Sequence, residues 1–493
     1  MQTAISTDGY LISKNKDERG PFILAESNFN KKNRAVYRHY FEKKDGVLKR
    51  HLITFDSIDK VFDSVAKHGI TTGFHIQKHR RKAPQLYPKN HSDIRYKKSN
   101  QEASFTSTGE KLDHHWPIFQ KYRDTGYSSI IRATMTLHQV CASRCSFCST
   151  INRTRKDAIS LVEAQKFVTE LNENQAAFNK RNFKTYNDQY REITGSDIRL
   201  RGLILSGGGQ PNLWPYFSEF VKWLSTKGIE LGLITNGFPK HVKDDVYRHF
   251  KWIRLSITPE DASPFYPEQR FDKQAIPQSI IKNEKQTFGL SYVHGPWTDD
   301  GMLTRLDDAA KAWNASYVRT LTDCNLPRQE QLEAHQNLAG HLYQLGLIDS
   351  EGTPKSKTFQ QMKYHGSEHE IGTVWDDKIC GLQLYNTFWD TTGHEENGES
   401  YCFPCDSVTV LEEGFGGAKS ERRFNGSKWG TVLNTEICSL YKNPTKIFFD
   451  PKENCKGCLF LKNNIRVKAL TQMNDSDYTG LSLENNLDHV NFP

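Results

Sequence analysis

Residues 130–148 read IIRATMTLHQVCASRCSFC, an apolar run followed by three closely spaced cysteines. The run over residues 130–137 is rich in apolar and β-branched residues, which is typical of a buried strand. Cys141, Cys145 and Cys148 follow it with three and then two residues between them. A strand that leads into a loop with three thiols predicts a metal centre at the carboxyl end of that strand.

The number of thiols in this loop limits the kind of metal centre. Tetrahedral zinc and four-thiolate iron–sulfur sites need a fourth ligand, and no further cysteine or histidine follows locally. An iron–sulfur cubane held by three cysteines leaves one iron that can bind a small molecule. The spacing therefore favours a cluster with an open iron, and a zinc site is the alternative on this motif alone.

Alternating strands and helices are predicted between residues 127 and 325. Apolar runs occur at 128–137, 202–206, 230–235, 252–257, 289–293 and 316–321. Segments with helical spacing lie between several of them, and repeated strand–helix units imply parallel strands joined by right-handed crossovers. Six such strands predict an α/β fold, an open partial (β/α)6 barrel with its chemistry at the carboxyl ends of the strands.

The cysteine loop resembles the cluster motif of the radical S-adenosylmethionine (radical SAM) superfamily, including the aromatic Phe147 before the last cysteine. The resemblance implies that Cys141, Cys145 and Cys148 hold a 4Fe–4S cluster whose fourth iron binds SAM. It also implies that one electron cleaves SAM to methionine and a 5′-deoxyadenosyl radical, which takes a hydrogen atom from the substrate.

Three later segments resemble the SAM-binding elements of that superfamily. Residues 203–211 read LILSGGGQP, in which Gly207, Gly208 and Gly209 let the backbone approach a ligand. Gln210 stands where the family usually has a glutamate, so a neutral carbonyl would accept the hydrogen bond of the methionyl ammonium. Asn236, in a Thr-Asn-Gly turn, and Ser256, on the fourth strand, complete the match. The alternative for Ser256 is a hydroxyl that bonds the local backbone.

Six of the ten cysteines lie between residues 376 and 462, where the sequence resembles the SPASM or twitch extension of radical SAM enzymes. The seven-cysteine SPASM spacing is absent, so the resemblance implies one auxiliary 4Fe–4S cluster. Its preferred ligands are Cys380, Cys405, Cys455 and Cys458, with Cys402 as the competitor of Cys405. A zinc knuckle is the alternative. Cys438 is either a further ligand or a buried thiol.

Two residues of the predicted sixth strand are candidates for substrate contact. Cys324 ends this strand, where a thiol can return a hydrogen atom to a substrate radical and so complete an epimerisation; the alternative is a buried thiol. Arg319 would bind an anionic substrate or the SAM carboxylate, or else form a salt bridge inside the barrel.

The chain is predicted to divide into five parts. Residues 1–126 form an α+β accessory segment with a basic linker, 127–326 the barrel, 327–375 a helical connector, 376–470 the cysteine-rich auxiliary domain and 471–493 a tail. In the first part, a turn at Lys44-Asp45-Gly46 predicts a hairpin, a helix is expected over Asp56–Lys67, and residues 78–112 read as linker.

Composition narrows the class of protein. Hydrophobic residues make up 36% of the chain, and no run approaches the length of a membrane helix or of a secretory signal. Ten cysteines without such a signal predict thiols in a reducing cytoplasm. The basic run at 78–82 has few aromatic neighbours, so nucleic-acid binding is disfavoured although the net charge is +8.

The resemblance implies an enzyme that uses a reductant such as a flavodoxin or ferredoxin and modifies a peptide or protein side chain. Three alternatives stay open at this point. They are a radical SAM dehydrogenase or epimerase of sugars or alcohols, an RNA-modifying enzyme, and a non-catalytic iron–sulfur protein, the last suggested only by Gln210.

Overall fold

The computed structural model divides the chain into two compact units, residues 1–85 and residues 86–493. In the first unit it describes the backbone of six strands. In the second it describes residues 109–143, 145, 147, 148, 150, 156–257, 275–295, 298, 300–323, 326, 328–349, 354, 355, 359–363, 379–391, 401–406, 458, 460–481, 483 and 488–493.

The first unit contains two three-stranded sheets. Strands β1 (Thr3–Ile5), β2 (Tyr10–Lys14) and β6 (Phe74–Lys78) form one, with β2 in the middle. Strands β3 (Phe22–Leu24), β4 (Val36–Lys44) and β5 (Val47–Phe55) form the other. Lys44 pairs with Val47, so the hairpin predicted around Asp45-Gly46 is confirmed. The helix predicted over 56–67 lies outside the described residues.

A nine-stranded open sheet organises the second unit. Seven parallel strands follow one another in chain order: β7 (Arg132–Thr136), β8 (Gly202–Ser206), β9 (Glu230–Thr235), β10 (Trp252–Ile257), β11 (Thr287–His294), β12 (Tyr317–Thr322) and β13 (Phe359–Lys363). Strand β14 (Asn386–Asp390) pairs parallel to β7 on the other side, and β15 (Tyr401–Phe403) closes that end antiparallel to β14.

The helices of this unit lie before, between and after the strands. They are α1 (Trp116–Thr125), α2 (Leu161–Thr169), α3 (Gln175–Asn182), α4 (Lys184–Thr194), α5 (Phe217–Leu224), α6 (Asp244–Tyr247), α7 (Gln278–Ile281), α8 (Asp300–Ala312), α9 (Arg328–Gln344), α10 (Leu461–Gln472) and α11 (Asp475–Thr479). A capping box starts α2, because the Ser160 hydroxyl accepts from the Glu163 amide and the Glu163 carboxylate accepts from the Ser160 amide. Among the described residues, no helix is both long and apolar enough to cross a membrane.

The six strands predicted from apolar runs are confirmed, and the open α/β sheet with them. Strands β13, β14 and β15 lie outside these six runs. Strand β13 reads FQQMK and β14 reads NTFWD, so neither is an apolar run; they are strands because they pair with β12 and β7. Helix α1 lies before the predicted boundary at residue 126, yet it packs against α10 within the second unit.

The two faces of the sheet are built differently because side chains alternate along each strand. One face packs against helices α2, α5, α8 and α9 and forms the main apolar core, to which Leu205, Leu233, Leu255, Leu290 and Val318 contribute. We call the opposite face the inner face. From β8 to β12 it carries Gly202, Ile204, Ser206, Glu230, Gly232, Ile234, Trp252, Arg254, Ser256, Thr287, Gly289, Ser291, Val293, Tyr317, Arg319 and Leu321.

Residues 488–493 cover the inner face at the amino ends of the strands. A Cβ atom at Gly202 would lie 2.2 Å from the Asn491 carbonyl oxygen, and the Phe492 ring meets Trp252 edge-on with centroids 5.5 Å apart. The Lys111 ammonium donates to the Phe492 carbonyl over 3.2 Å. This segment, predicted as part of a tail, therefore packs against the sheet, and the carboxyl ends of the strands carry the candidate site.

Candidate active site

The loop after β7 is closed at its base by backbone pairing. His138 and Ala158 form an antiparallel bridge, the Gln139 amide donates to Asp157 over 2.8 Å, and the Ile159 amide donates to Leu137 over 3.1 Å. Between these points the loop carries Cys141, Cys145 and Cys148, all half-buried. The three thiols therefore lie in one loop at the carboxyl edge of the sheet.

The glycine turn after β8 is pressed against the beginning of this loop. The Gly209 amide donates to the His138 carbonyl over 3.2 Å, and the Gln210 amide donates to the Val140 carbonyl over 2.7 Å. A Cβ atom at Gly209 would lie 2.2 Å from the Val140 carbonyl oxygen, so a side chain at this position is sterically excluded. His138 adds a third link, since its Nε2 lies 2.7 Å from the Gln210 carbonyl.

The turn after β9 also contacts the cysteine loop. The Asn236 amide nitrogen donates to the Cys141 sulfur over 3.4 Å and to the Ser143 hydroxyl over 3.0 Å. The Cys148 sulfur lies 3.5 Å from the Thr150 hydroxyl, which donates to the Gly208 carbonyl over 3.4 Å. Amide donors to cysteine sulfur are a usual means of tuning iron–sulfur centres. The predicted residues of three neighbouring strand ends are thus brought together.

The Gln210 side chain is buried, and its amide oxygen accepts no hydrogen bond from the described residues. It is only 3% exposed, and its amide nitrogen donates to the Gly237 carbonyl over 3.3 Å. Its Oε1 atom is buried and has no hydrogen-bond partner within the described part of the chain. Because an unpaired buried oxygen costs about 1–3 kcal/mol, this carbonyl is suited to a donor supplied by a ligand.

The fit of a cluster to this loop can be judged from the donors present. Within the part of the chain that the structure describes, no group of three or more His, Cys, Asp or Glu side chains is close enough to bind one metal ion. Thiols have no attraction for one another, and metal binding itself gathers such ligands. The three thiols share one closed loop, and one of them accepts an amide hydrogen bond. This donor set fits a three-thiolate cluster.

A second group of cysteines lies at the opposite, amino edge of the sheet. Cys380 precedes β14 and Cys405 follows β15, and both are buried in one apolar cluster with Tyr385 and Phe388. The Asn464 side chain of α10 joins two thiols: its amide nitrogen donates to the Cys458 sulfur over 3.3 Å, and the Cys380 sulfur lies 3.8 Å from its carbonyl oxygen. Cys380 and Cys458 are thus on opposite sides of one buried amide.

The pKa shifts of Tyr385 and Arg132 also involve Cys380, Cys405 and Cys458. Burial raises the pKa of the Tyr385 hydroxyl, Arg132 opposes this shift, and Cys380 and Cys458 add to it. Burial lowers the pKa of Arg132, and Tyr385, Asp406 and Cys405 oppose that shift. Cys380 and Cys458 therefore lie near enough to Tyr385, and Cys405 near enough to Arg132, to affect these pKa values.

Strand alternation separates the two candidates Cys402 and Cys405. Cys402 pairs with Trp389 across β14 and β15, is fully buried, and belongs to the helix-side core. Phe403 and Cys405 belong instead to the cluster that contains Cys380. The fold thus places Cys405, and not Cys402, on the side of Cys380.

The remaining predicted residues fall into two groups. Ser256 is half-buried on the inner face of β10, and Phe147 is half-buried in the cysteine loop. Cys324, Cys438 and Cys455 lie outside the described residues. Sequence reasoning missed His138 and Asn464. His138 precedes Cys141 by three residues, but no sequence pattern links a histidine at this position to Gln210. Asn464 lies on α10, and no cysteine motif marks that helix.

Comparisons with known proteins give distant likenesses. No family model matches the chain, and no curated protein matches it. Among solved structures, it is similar to Streptococcus suis SuiB bound to S-adenosylmethionine, with 12% identity, a TM-score of 0.41, and 66% of this chain and 68% of that chain covered. It is also similar to SuiB bound to the precursor peptide SuiA, with 11% identity, a TM-score of 0.40 and 94% of each chain covered.

A third similar structure is native anSMEcpe with bound AdoMet and Cp18Cys peptide, with 12% identity, a TM-score of 0.38, and 70% of this chain and 84% of that chain covered. With TM-scores of 0.38 to 0.41, these likenesses carry no argument about function, which depends on the residues of this chain.

Proposed function

We propose that this protein is a radical SAM enzyme. The observation that carries the proposal is the meeting of three strand ends, where Asn236 donates to the Cys141 sulfur beside a glycine turn and the buried Gln210 oxygen. Cys141, Cys145 and Cys148 would hold the 4Fe–4S cluster. When bound, the cluster supplies the electron that cleaves SAM and so generates the radical that abstracts a substrate hydrogen atom.

The residues around the loop would bind and orient SAM. Gly207, Gly208 and Gly209 offer backbone groups at close approach, and Gln210 Oε1 would accept a hydrogen bond from the methionyl ammonium. The Gly237 carbonyl fixes the orientation of that oxygen because it accepts from the Gln210 amide nitrogen. Ser256, on the inner face of β10, would meet the ribose or carboxylate of SAM.

The test is SAM cleavage by the full chain after anaerobic reconstitution with iron and sulfide. We expect 5′-deoxyadenosine from the wild type, and none after Cys141→Ala, Cys145→Ala or Cys148→Ala. Cys402→Ala is the matched control, because that thiol lies in the helix-side core. Equal 5′-deoxyadenosine formation by the loop variants and the control would refute the proposal.

Gln210→Met tests the SAM-binding role separately from the cluster. Methionine keeps the length of the side chain but removes the acceptor, so the affinity for SAM should fall roughly tenfold. Equilibrium dialysis of reconstituted protein with SAM measures this change. An iron content equal to that of the wild type would show that the loop itself is intact.

We further propose one auxiliary centre at the amino edge of the sheet, with Cys380, Cys405, Cys455 and Cys458 as ligands. Its support is the burial of Cys380 and Cys405 in one cluster and the Asn464 amide between Cys380 and Cys458. The reconstituted protein should then bind close to eight irons, whereas a single cluster gives four. Zinc found in place of this iron would contradict the proposal.

The proposed substrate is a peptide or protein side chain, with a reductant such as a flavodoxin or ferredoxin as the electron donor. Support comes from the separate unit of residues 1–85, whose two small sheets have edge strands of the kind that pair with extended peptides. A short peptide encoded beside the gene should stimulate 5′-deoxyadenosine formation and change in mass. Stimulation by sugars or alcohols instead would favour a small-molecule dehydrogenase or epimerase.

A further inference from the structure

The turns after β8 and β9 are joined by a group of buried hydrogen bonds. It consists of Gln210, Asn212, Thr235, Gly237 and Tyr247, and we call it the amide network. Asn212 is fully buried at its centre. The Asn212 amide nitrogen donates to the Gly237 carbonyl over 2.9 Å and to the Tyr247 hydroxyl over 3.1 Å, and its oxygen accepts from the Thr235 hydroxyl over 3.0 Å. Asn212 therefore uses both of its N–H groups and its oxygen inside the protein.

The Gly237 carbonyl is the acceptor that this network shares. Its oxygen lies 2.8 Å from the Thr235 hydroxyl, 2.9 Å from the Asn212 amide nitrogen and 3.3 Å from the Gln210 amide nitrogen. A carbonyl oxygen has two lone pairs, which suit two donors. Because the Thr235 hydroxyl can donate to the Asn212 oxygen instead, the two side-chain amides can share the carbonyl. Asn212 and Thr235 thus fix the acceptor to which Gln210 is bonded.

This arrangement decides which end of the Gln210 amide is left for a ligand. A backbone carbonyl only accepts hydrogen bonds, so the Gln210 nitrogen must face Gly237 and Oε1 must be the other end. Oε1 is buried and has no hydrogen-bond partner among the residues that the structure describes. The amide network therefore offers one acceptor to a ligand, and this acceptor carries no charge.

A carboxylate does not fit in the place of this amide. Both oxygens of an ionised glutamate only accept, so one of them would face the Gly237 carbonyl across the 3.3 Å that the amide now bridges. Asn212 cannot relieve this contact, because both of its N–H groups already have acceptors. Position 210 is also only 3% exposed, which adds the cost of removing a charge from water.

We propose that Asn212 and Thr235 are positioning residues of the SAM site, and that the amide network selects a neutral amide at position 210. They act through the Gly237 carbonyl, which orients Gln210 Oε1 toward the donor of a ligand. The role toward SAM rests on the proposed function. The selection of a neutral side chain is a property of the protein itself and can be measured without cluster or SAM.

Gln210→Glu in the cluster-free full chain tests this selection. The network should raise the pKa of the introduced carboxyl above its ordinary value of about 4.3, so stability is lost as the pH rises through that window. The unfolding equilibrium constant, relative to that of the wild type at the same pH, should therefore rise roughly tenfold between pH 5 and pH 8. Urea denaturation measures it. Gln278→Glu, at an exposed glutamine, is the matched control and should change by less than about twofold.

Two outcomes would overturn the selection of a neutral amide. One is a relative unfolding constant of Gln210→Glu that stays level or falls between pH 5 and pH 8. The other is a Gln210→Glu protein that is unfolded even at pH 5, where most of the carboxyl would be neutral and would donate to Gly237. A variant folded at pH 5 but unfolded at pH 8 would support the proposal.

The SAM affinity of reconstituted protein tests the positioning role. Asn212→Ala should weaken SAM binding roughly tenfold in the wild-type background, but less than about twofold when Gln210→Met has already removed the acceptor. Thr235→Val should behave in the same way, and Thr235→Ser, which keeps the hydroxyl, should restore most of the affinity. Asn172→Ala is the control, since it removes a buried amide that donates to Lys227. Equal losses in both backgrounds would show a merely structural role and overturn the positioning.

The Thr235 pair keeps this comparison valid if Asn212→Ala does not fold. In addition, Gln210→Glu should bind SAM no more tightly than the wild type at pH 8, and tenfold tighter binding would overturn the selection of a neutral acceptor. A reconstituted protein that cleaves no SAM would refute the proposed function, whereas the pH dependence of the cluster-free protein would still decide the selection at position 210. The two failures are therefore distinguishable.

Discussion

Substitution of Gly209 by alanine tests whether the glycine turn is clamped against the cysteine loop. The new Cβ would lie 2.2 Å from the Val140 carbonyl oxygen and 2.7 Å from the His138 carbonyl oxygen. Nonbonded atoms of this size prefer about 3.5–4.0 Å, so the overlap exceeds about 1 Å. Both obstacles are backbone atoms, which cannot rotate away as a side chain would.

The chain can respond in two ways. Overpacking of this kind costs about 1–3 kcal/mol. Separation of the two segments relieves the overlap but breaks the bonds from the Gly209 amide to His138 and from the Gln210 amide to Val140, at about 1 kcal/mol each. By either route we expect the free energy of unfolding to fall by about 1–3 kcal/mol. If the substitution displaces the cysteine loop without unfolding the protein, the three thiols move with the loop and the protein binds less iron.

Urea denaturation followed by tryptophan fluorescence measures the stability, and iron content and SAM affinity report on the loop. Gly480→Ala is the matched control, because its Cβ would come no closer than 3.6 Å to the nearest atoms and its φ is −87°. It should stay within about 0.5 kcal/mol of the wild type. If Gly209→Ala matches this control in stability, iron content and SAM affinity, the clamp does not exist.

Three further predictions concern other parts of the molecule. Burial lowers the pKa of His115 to about 3 and that of His489 to about 3, so the unfolded chain takes up protons near pH 6.5 while the folded one does not. Stability should therefore fall from pH 7.5 to 5.5 by about 1.4 kcal/mol for each histidine, and an unchanged urea midpoint would contradict this. Asn464→Ala should weaken iron binding at the auxiliary centre roughly tenfold to hundredfold in a chelator titration. Asn463→Ala is the control, because it removes an equally buried amide that is bonded to Tyr385, and it should leave iron binding unchanged. Cys405→Ala should remove about four irons and Cys402→Ala none, and the reverse result would refute the assignment by strand alternation.

The parallel sheet was predictable because its central strands are nearly continuous apolar runs. Strands β8 and β9 read GLILS and ELGLIT, and burial on both faces explains this composition. The three-cysteine loop was also predictable, because the spacing of its cysteines is local in the sequence. Strands β13 and β14 were not, because their residues FQQMK and NTFWD become strands only through pairing with β12 and β7.

The sequence by itself determined which chemical groups this protein can use: three thiols after a strand, a glycine turn and an asparagine turn after the next two, and a second set of cysteines. Spacing along the chain carries that information because each motif is a few residues long. Only the tertiary structure decided which groups meet. Asn236 reaches Cys141 because parallel strands end at one edge, and Cys405 joins Cys380 while Cys402 faces the helices because side chains alternate. Asn212 meets the Gly237 carbonyl because β8 and β9 are neighbours in the sheet, a contact that no local pattern in the sequence expresses.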